Sequence, residues 1–273
     1  MSKHYLTSLL AAAGIAALLS ILPVATVAQS DAQAKTGKGG GKQGKGGTQG
    51  KNEQKENVAE FQSDVTPSGP TPRTPDGKVD LSGVWTPGLS FTNMGQVPLQ
   101  PWAEEVYKQR RATLSKDDPE GHCLPAGVPR ISPFLQKFVQ TPTLLVILDE
   151  GNIHSYRQVF LDGRPHLDDP GPLWMGDSIG KWDGDTLVVD TIYLNDKTWL
   201  NGQGLPHSED LHVVERFRRP DLGHLQIEIT MEDPKAFTKP HTFTRTYFLR
   251  PAWEIQEYVC NEFNVDADHL VGK

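Results

Sequence analysis

HLQIEITM, residues 224–231, alternates without a break: Leu225, Ile227, Ile229 and Met231 fall on one side of an extended chain, Gln226, Glu228 and Thr230 on the other. A period of two marks a strand with one buried and one wet face. The pattern spreads outward in both directions. TLLVIL is a short apolar run with β-branched members, HSYRQVFL ends at an Asp162-Gly163 turn, DTLVVDTIY follows an Asp183-Gly184 turn, and LHVVERF runs into RRPDLG. TFTRTYFL and IQEYVC complete the series, and SGVW at 82–85 opens it. Strands with turn signals every 8 to 15 residues predict an antiparallel all-β domain. Hairpins in succession close as a barrel or stack as a sandwich, and a barrel of about eight strands is preferred. The reason is TFTRTYFL: Phe243, Arg245 and Tyr247 share one face, and an Arg between two aromatics suits a cavity lining.

One N-terminal helix precedes these strands. PWAEEVYKQRRATLS (101–115) places Pro101 at a first helical position, Glu104 and Glu105 near the positive dipole end, and Trp102, Val106, Arg110 and Leu114 at helical spacing.

The first 66 residues read differently. Lys3 and His4 lead into an apolar run from about Leu9 to Val24, broken by Pro23 and followed by Thr26-Val27-Ala28. That is the layout of a signal peptide, residues 1–28, cleaved on export; an uncleaved anchor is the alternative. Residues 29–66 are rich in Gly, Lys and Gln without apolar period, a disordered tether. Its lysines suit weak contact with an anionic envelope surface, or simply a solvated spacer. The β-barrel domain is expected over 67–273.

Seven lysines and three acids within residues 1–56 give +4, so the overall −7 leaves −11 on residues 57–273. An acidic domain argues against nucleic acid as a partner, since phosphate contacts need clustered Lys and Arg. Cys123 and Cys260 are the two cysteines. An even count in an exported chain favours a disulfide. The alternative, a metal held by two thiolates, lacks the four ligands and CxxC spacing of structural zinc.

Candidate chemistry concentrates in GQGLPHSEDLHVVERF, residues 202–217. His207 and Glu209 fall in the turn before a strand, where a barrel rim handles small ligands. His207, oriented by Glu209 or Asp210, is the leading catalytic group, because an imidazole near neutrality moves protons at physiological pH. A His capping the turn is the bland alternative. A metal on His207, Glu209 and His212 is disfavoured: His207 and His212 have opposite parity and lie some 16 Å apart at about 3.3 Å per residue. Nearby, Asn195 and Trp199 sit in a polar loop long enough to fold over the same rim, as substrate contacts or as a loop anchor. Arg157 shares parity with Val159 and Leu161, so it faces the apolar side and needs a partner. Asp190, among Thr186, Val188 and Ile192, is the expected partner. Arg157, Arg245 and Tyr247 are then substrate-binding candidates with Asp190, Asn195 and Trp199. Arg164, His166, Asp168 and Asp169 read as loop structure. No cofactor motif is present: there is no G-x-S-x-G, P-loop, G-x-G-x-x-G after a strand, or H-E-x-x-H.

Two resemblances add to this. Gly83-Val84-Trp85 is similar to the G-x-W that opens lipocalin-type (calycin) barrels. The resemblance implies a Trp closing one barrel end with an Arg from the last strands, Arg245 or Arg250. RTPDGKVDLSGVW, CLPAGVPR, DGRPH, GKWDGDTLVVDT, PHSEDL and EYVCNE together resemble the motif run of a family of uncharacterised exported bacterial proteins. That resemblance implies one domain and the pairing of Cys123 with Cys260, and carries no reaction with it.

The functional expectation is an exported enzyme doing cofactor-free acid–base chemistry, as a lyase, isomerase or hydrolase. Its substrate would be a small polar sugar-like or phenolic molecule held in a barrel cavity. The alternatives are a calycin-like protein that binds a small ligand without turnover, and a structural envelope protein.

Overall fold

The computed structural model describes residues 65–89, 92–130, 134–151, 155–260 and 262. The signal peptide and nearly all of the tether lie outside the described residues. Nine strands close into a barrel in sequence order: β1 (Gly83–Pro87), β2 (Gln136–Gln140), β3 (Leu144–Asp149), β4 (Tyr156–Phe160), β5 (Asp177–Asp183), β6 (Thr186–Ile192), β7 (His212–Arg218), β8 (His224–Glu232) and β9 (His241–Leu249). Helix α1 (Pro101–Ala112) and a short 3-10 helix (Pro119–His122) lie between β1 and β2. Among the described residues no helix is long and apolar enough to cross a membrane.

The all-β barrel agrees with the sequence reading, and three details correct it. IQEYVC forms no strand, because β1 pairs with both β2 and β9 and the closed barrel offers no free edge. Two unexpected strands, β2 and β5, replace it. Their inward positions include Gln136, Ser178 and Gly180, so neither shows the apolar alternation that betrays a strand. The barrel is also not wholly antiparallel. β4 and β5 run parallel over Val159↔Ser178 and Phe160↔Ile179. A parallel pair needs a crossover of a dozen residues or more, and the segment 161–176 supplies it.

The stripe read for α1 shifts as well. Ala103 is buried, whereas Trp102 and Leu114 are exposed. Trp102 instead donates its indole N–H to the Lys235 carbonyl at 2.6 Å, and the α-helix ends at Ala112, ahead of Leu114 in its positive-φ conformation.

Period-two alternation places Leu145, Val159, Leu187, Val189, Val213, Phe217, Leu225, Ile227, Ile229 and Met231 in one core. Trp85 is fully buried and donates its indole N–H to the Leu81 carbonyl at 3.0 Å. The guanidinium over its ring, at 4.8 Å, belongs to Arg219 just past β7, not to Arg245 or Arg250. Arg219 holds that place by donating to the carbonyls of Asp80 and Leu222. Arg245 is turned inward at mid-strand, and Arg250, beyond β9, reaches Thr66. Cys123 and Cys260 form a disulfide with Cα atoms 5.7 Å apart, tying the turn after the 3-10 helix to the C-terminal segment.

Candidate functional site

Alternation in β4, β7 and β9 sends Arg157, Glu215, Arg245 and Tyr247 into the barrel, all of them buried. Arg157 and Glu215 form an ion pair at 2.5 Å. Arg157 also donates from Nε to Ser178 Oγ at 3.0 Å and from Nη2 to Thr191 Oγ1 at 2.7 Å. Inner hydroxyls of β5 and β6 therefore satisfy the guanidinium that Glu215 neutralises. A buried ion pair is expensive to desolvate, and hydrogen bonds of this kind are what make it tolerable.

Arg245 and Tyr247 stand two residues apart on β9, so they share the inner face. Arg245 donates to the Pro129 carbonyl, and its guanidinium lies 5.0 Å from the Phe243 ring. Burial pushes the Arg245 guanidinium below its ordinary value, against the opposing pull of Tyr247 and Glu215. Burial likewise holds the Tyr247 phenol well above its ordinary range, so it stays a neutral donor.

These side chains line a cavity of about 40 Å³ inside the barrel. By volume it has room for roughly three waters or a ligand of similar bulk. Its lining mixes apolar Phe138, Ile147, Phe217, Ile227 and Ile229 with polar Gln136, Asp149, Arg157, Glu215, Arg245 and Tyr247. The two kinds are cross-strand neighbours: Arg157 pairs with Ile147, Glu215 with Ile229 and Arg245 with Ile227. Gly127 to Arg130 and Met175 partly cover it. Gly127 has φ +80°, and a Cβ there would fall 2.7 Å from Thr198, so the covering segment needs glycine at that point. Arg130 is fixed by Asp118, at 2.7 and 2.8 Å, and by Glu120. The cover is thus clamped by ion pairs on one side and by the disulfide at Cys123 on the other.

Asp149, at the end of β3, is the titratable group at the rim. It accepts from Gln136 Nε2 at 2.5 Å and Ser155 Oγ at 3.3 Å. Part of its surface reaches the rim, but desolvation of the carboxyl outweighs these bonds and the Arg157 charge, and raises its pKa to about 6. Near neutral pH the polar wall therefore holds Arg157 and Arg245 against Glu215 and a partly protonated Asp149.

The other sequence candidates lie elsewhere. His207 is buried in the loop before β7 with both ring nitrogens engaged. Nδ1 donates to the Ser208 carbonyl at 2.9 Å, so Nε2 accepts from the Thr198 hydroxyl at 2.8 Å. Burial lowers its pKa, which favours that neutral form. Glu209 and Asp210 are exposed, and Asp210 pairs with Lys235 at 2.8 Å. Neither carboxylate orients His207. Trp199 is buried under the Arg110 guanidinium of α1 at 4.6 Å, and Asn195 caps its own loop by accepting from Lys197 N–H at 3.0 Å. Asp190 faces outward on β6, where His166 and His212 each approach it to 3.0 Å, and does not meet Arg157. The structure thus brings together Arg157, Arg245 and Tyr247, and separates them from His207, Glu209, Asp210, Asp190, Asn195 and Trp199.

Glu215 joins these residues and has a signal in the sequence: it shares parity with Leu211, Val213 and Phe217, an acid on an apolar face as Arg157 is a base on one. Gln136 and Arg130 carry no such signal, one on a strand without clean apolar alternation and the other in an irregular segment. Among the described residues no three His, Cys, Asp or Glu side chains are grouped to hold a metal ion.

No protein-family model matches the chain, and no curated protein matches it. Solved structures similar to it include crystal structures of the fluorescent protein UnaG, wild type and a mutant. Each is 13% identical with a TM-score of 0.32, over 61% and 64% of this chain and 95% and 97% of those chains.

Proposed function

We propose that the protein is exported and binds a small molecule bearing a carboxylate inside its barrel, without turnover. The observation that carries this reading is the barrel cavity that buried Arg157, Arg245 and Tyr247 line together with Phe and Ile side chains. A guanidinium pair beside the neutral phenol of Tyr247 offers planar donors matched to a carboxylate. The Phe and Ile side chains interleaved with these donors suit a short apolar body attached to it. A barrel filled for stability alone gains nothing from burying arginines, which cost several kcal/mol each to desolvate. The disulfide and the apolar leader support export.

Titration calorimetry with propionate and its neutral isostere propionamide tests the reading. Propionate binding one per chain, with propionamide silent, is the expected result. Equal heats from both, or none across acetate to benzoate, would remove it.

Acid–base turnover retains one specific support, Asp149, whose pKa near 6 at the cavity rim is that of a group able to exchange protons near neutrality. In that second reading Asp149 takes the part assigned on sequence grounds to His207 with Glu209 or Asp210. Mass spectrometry of ligand recovered after prolonged incubation separates the two: unchanged ligand supports binding alone, and altered ligand supports chemistry.

A further inference from the structure

The crossover at 161–176, which joins the parallel strands β4 and β5, is tied to the barrel wall at its start, middle and end; at the start the Leu161 N–H donates to the Thr143 carbonyl at 2.8 Å. Near its end, Leu173 exchanges backbone hydrogen bonds with Tyr193 and Asn195 at 2.7 and 2.8 Å. In its middle the ties are the Leu167 N–H, which donates to Asp177 Oδ2 at 3.0 Å whatever the pH, and His166. Nδ1 of His166 is 2.7 Å from Asp177 Oδ2, and Nε2 is 3.0 Å from Asp190 Oδ1. The other Asp190 oxygen is 3.0 Å from His212 Nε2, and His212 Nδ1 lies 3.8 Å from Glu232 Oε2. A hydrogen-bonded chain of carboxylate, imidazole, carboxylate and imidazole, with Glu232 at ion-pair distance beyond it, thus crosses the outer wall from β5 to β8.

Carboxylates accept and do not donate, and a neutral imidazole has one N–H. His166 can donate to Asp177 and Asp190 together only as the imidazolium. We propose that His166 is a proton-operated clasp on the crossover strap, closed while its ring is charged and loosened as pH rises and the ring becomes neutral. The groups facing the two imidazoles are Asp177 from β5, Asp190 from β6 and Glu232 from β8; on the strap itself Arg164 is held by Asp162. With both rings charged, two cations sit among three anions. With both neutral, three carboxylates face one another across single donors, which favours separation.

The strap is well placed to respond. The β4–β5 seam it spans has only two paired positions, against seven between β5 and β6. Met175, at the far end of the strap, is part of the cavity cover. The clasp is independent of what the cavity holds; its bearing on ligand exchange rests on the carboxylate-binding reading.

Hydrogen–deuterium exchange of the ligand-free chain, corrected for the intrinsic pH effect, tests the clasp at pH 5.5 and 7.5. Protection of amides in 162–172 is expected to fall by about fivefold at the higher pH, a size set by partly exposed ion pairs. In His166→Gln, which has a donor on one side only, protection is expected to be low at both values. Imidazole nitrogen chemical shifts in the unmodified protein give a second readout that no folding defect can obscure. His166 is expected to be doubly protonated at pH 5.5. A neutral His166 at that pH, or equal strap protection at both pH values, overturns the proposal. Because no ligand is present, failure here leaves the reading of the cavity untouched.

Discussion

Arg157 of β4 and Glu215 of β7 meet inside the barrel at 2.5 Å, although two strands separate them along the wall. Those two strands contribute Ser178 and Thr191, the hydroxyls that complete the guanidinium's hydrogen bonds. The pair therefore stitches four strands across the barrel's weakest seam, and it does so beside the cavity.

Truncating one member of this pair leaves the other charged and buried. Arg157→Met or Glu215→Met alone is expected to cost about 3–5 kcal/mol in urea unfolding at pH 7, whereas the double variant recovers most of that loss. Single losses that simply add in the double variant would mean the two groups do not act as a pair.

Asp149 sets a pH dependence of known sign. Its folded pKa of about 6 lies above the ordinary 3.8, so this group's contribution to stability is complete below about pH 4 and is lost as pH rises through 6. The shift corresponds to at most about 3 kcal/mol, reduced by solvent reaching the rim. Asp149→Asn is expected to flatten stability between pH 4 and 7 and to be the more stable protein at pH 8. Urea midpoints measured across that range decide it.

His207 gives the opposite sign. Burial lowers its pKa below 6.5, so its contribution is present above that pH and lost as pH falls further. His207→Gln is expected to lose about 1 kcal/mol at pH 7.5 through the bonds to Thr198 and Ser208. Its loss of stability on acidification should be shallower than in the parent, with propionate affinity unchanged. Abolished binding in a folded His207→Gln protein would return this residue to the functional site.

The disulfide spans 137 residues of chain, so breaking it frees a large unfolded ensemble. The paired change Cys123→Ser with Cys260→Ser is expected to lower unfolding free energy by about 2–5 kcal/mol. The barrel should persist, since neither cysteine lies on a strand. Far-ultraviolet circular dichroism and chemical denaturation check both halves of that statement.

Clean alternation made β8 and β9 plain in the sequence, and Arg245 with Tyr247 came with them. The strands that escaped were those whose inner faces are polar or small, Gln136 on β2 and Ser178 and Gly180 on β5, because hydrophobic periodicity has nothing to register there. The same blindness hid the partner of Arg157. Parity put both Arg157 and Glu215 on apolar faces, but which acid meets which base depends on barrel closure, a long-range fact. His207 drew notice through local density of polar residues, which here reflects a loop satisfying its own hydrogen bonds with Thr198, Ser208 and Asp233.

The most direct measurement follows the arginine Nε–H resonances of nitrogen-labelled protein during a propionate titration. Saturable shifts of Arg157 and Arg245, absent with propionamide, are the predicted result. Interior resonances that stay fixed while only exposed arginines move would contradict a carboxylate site within the barrel.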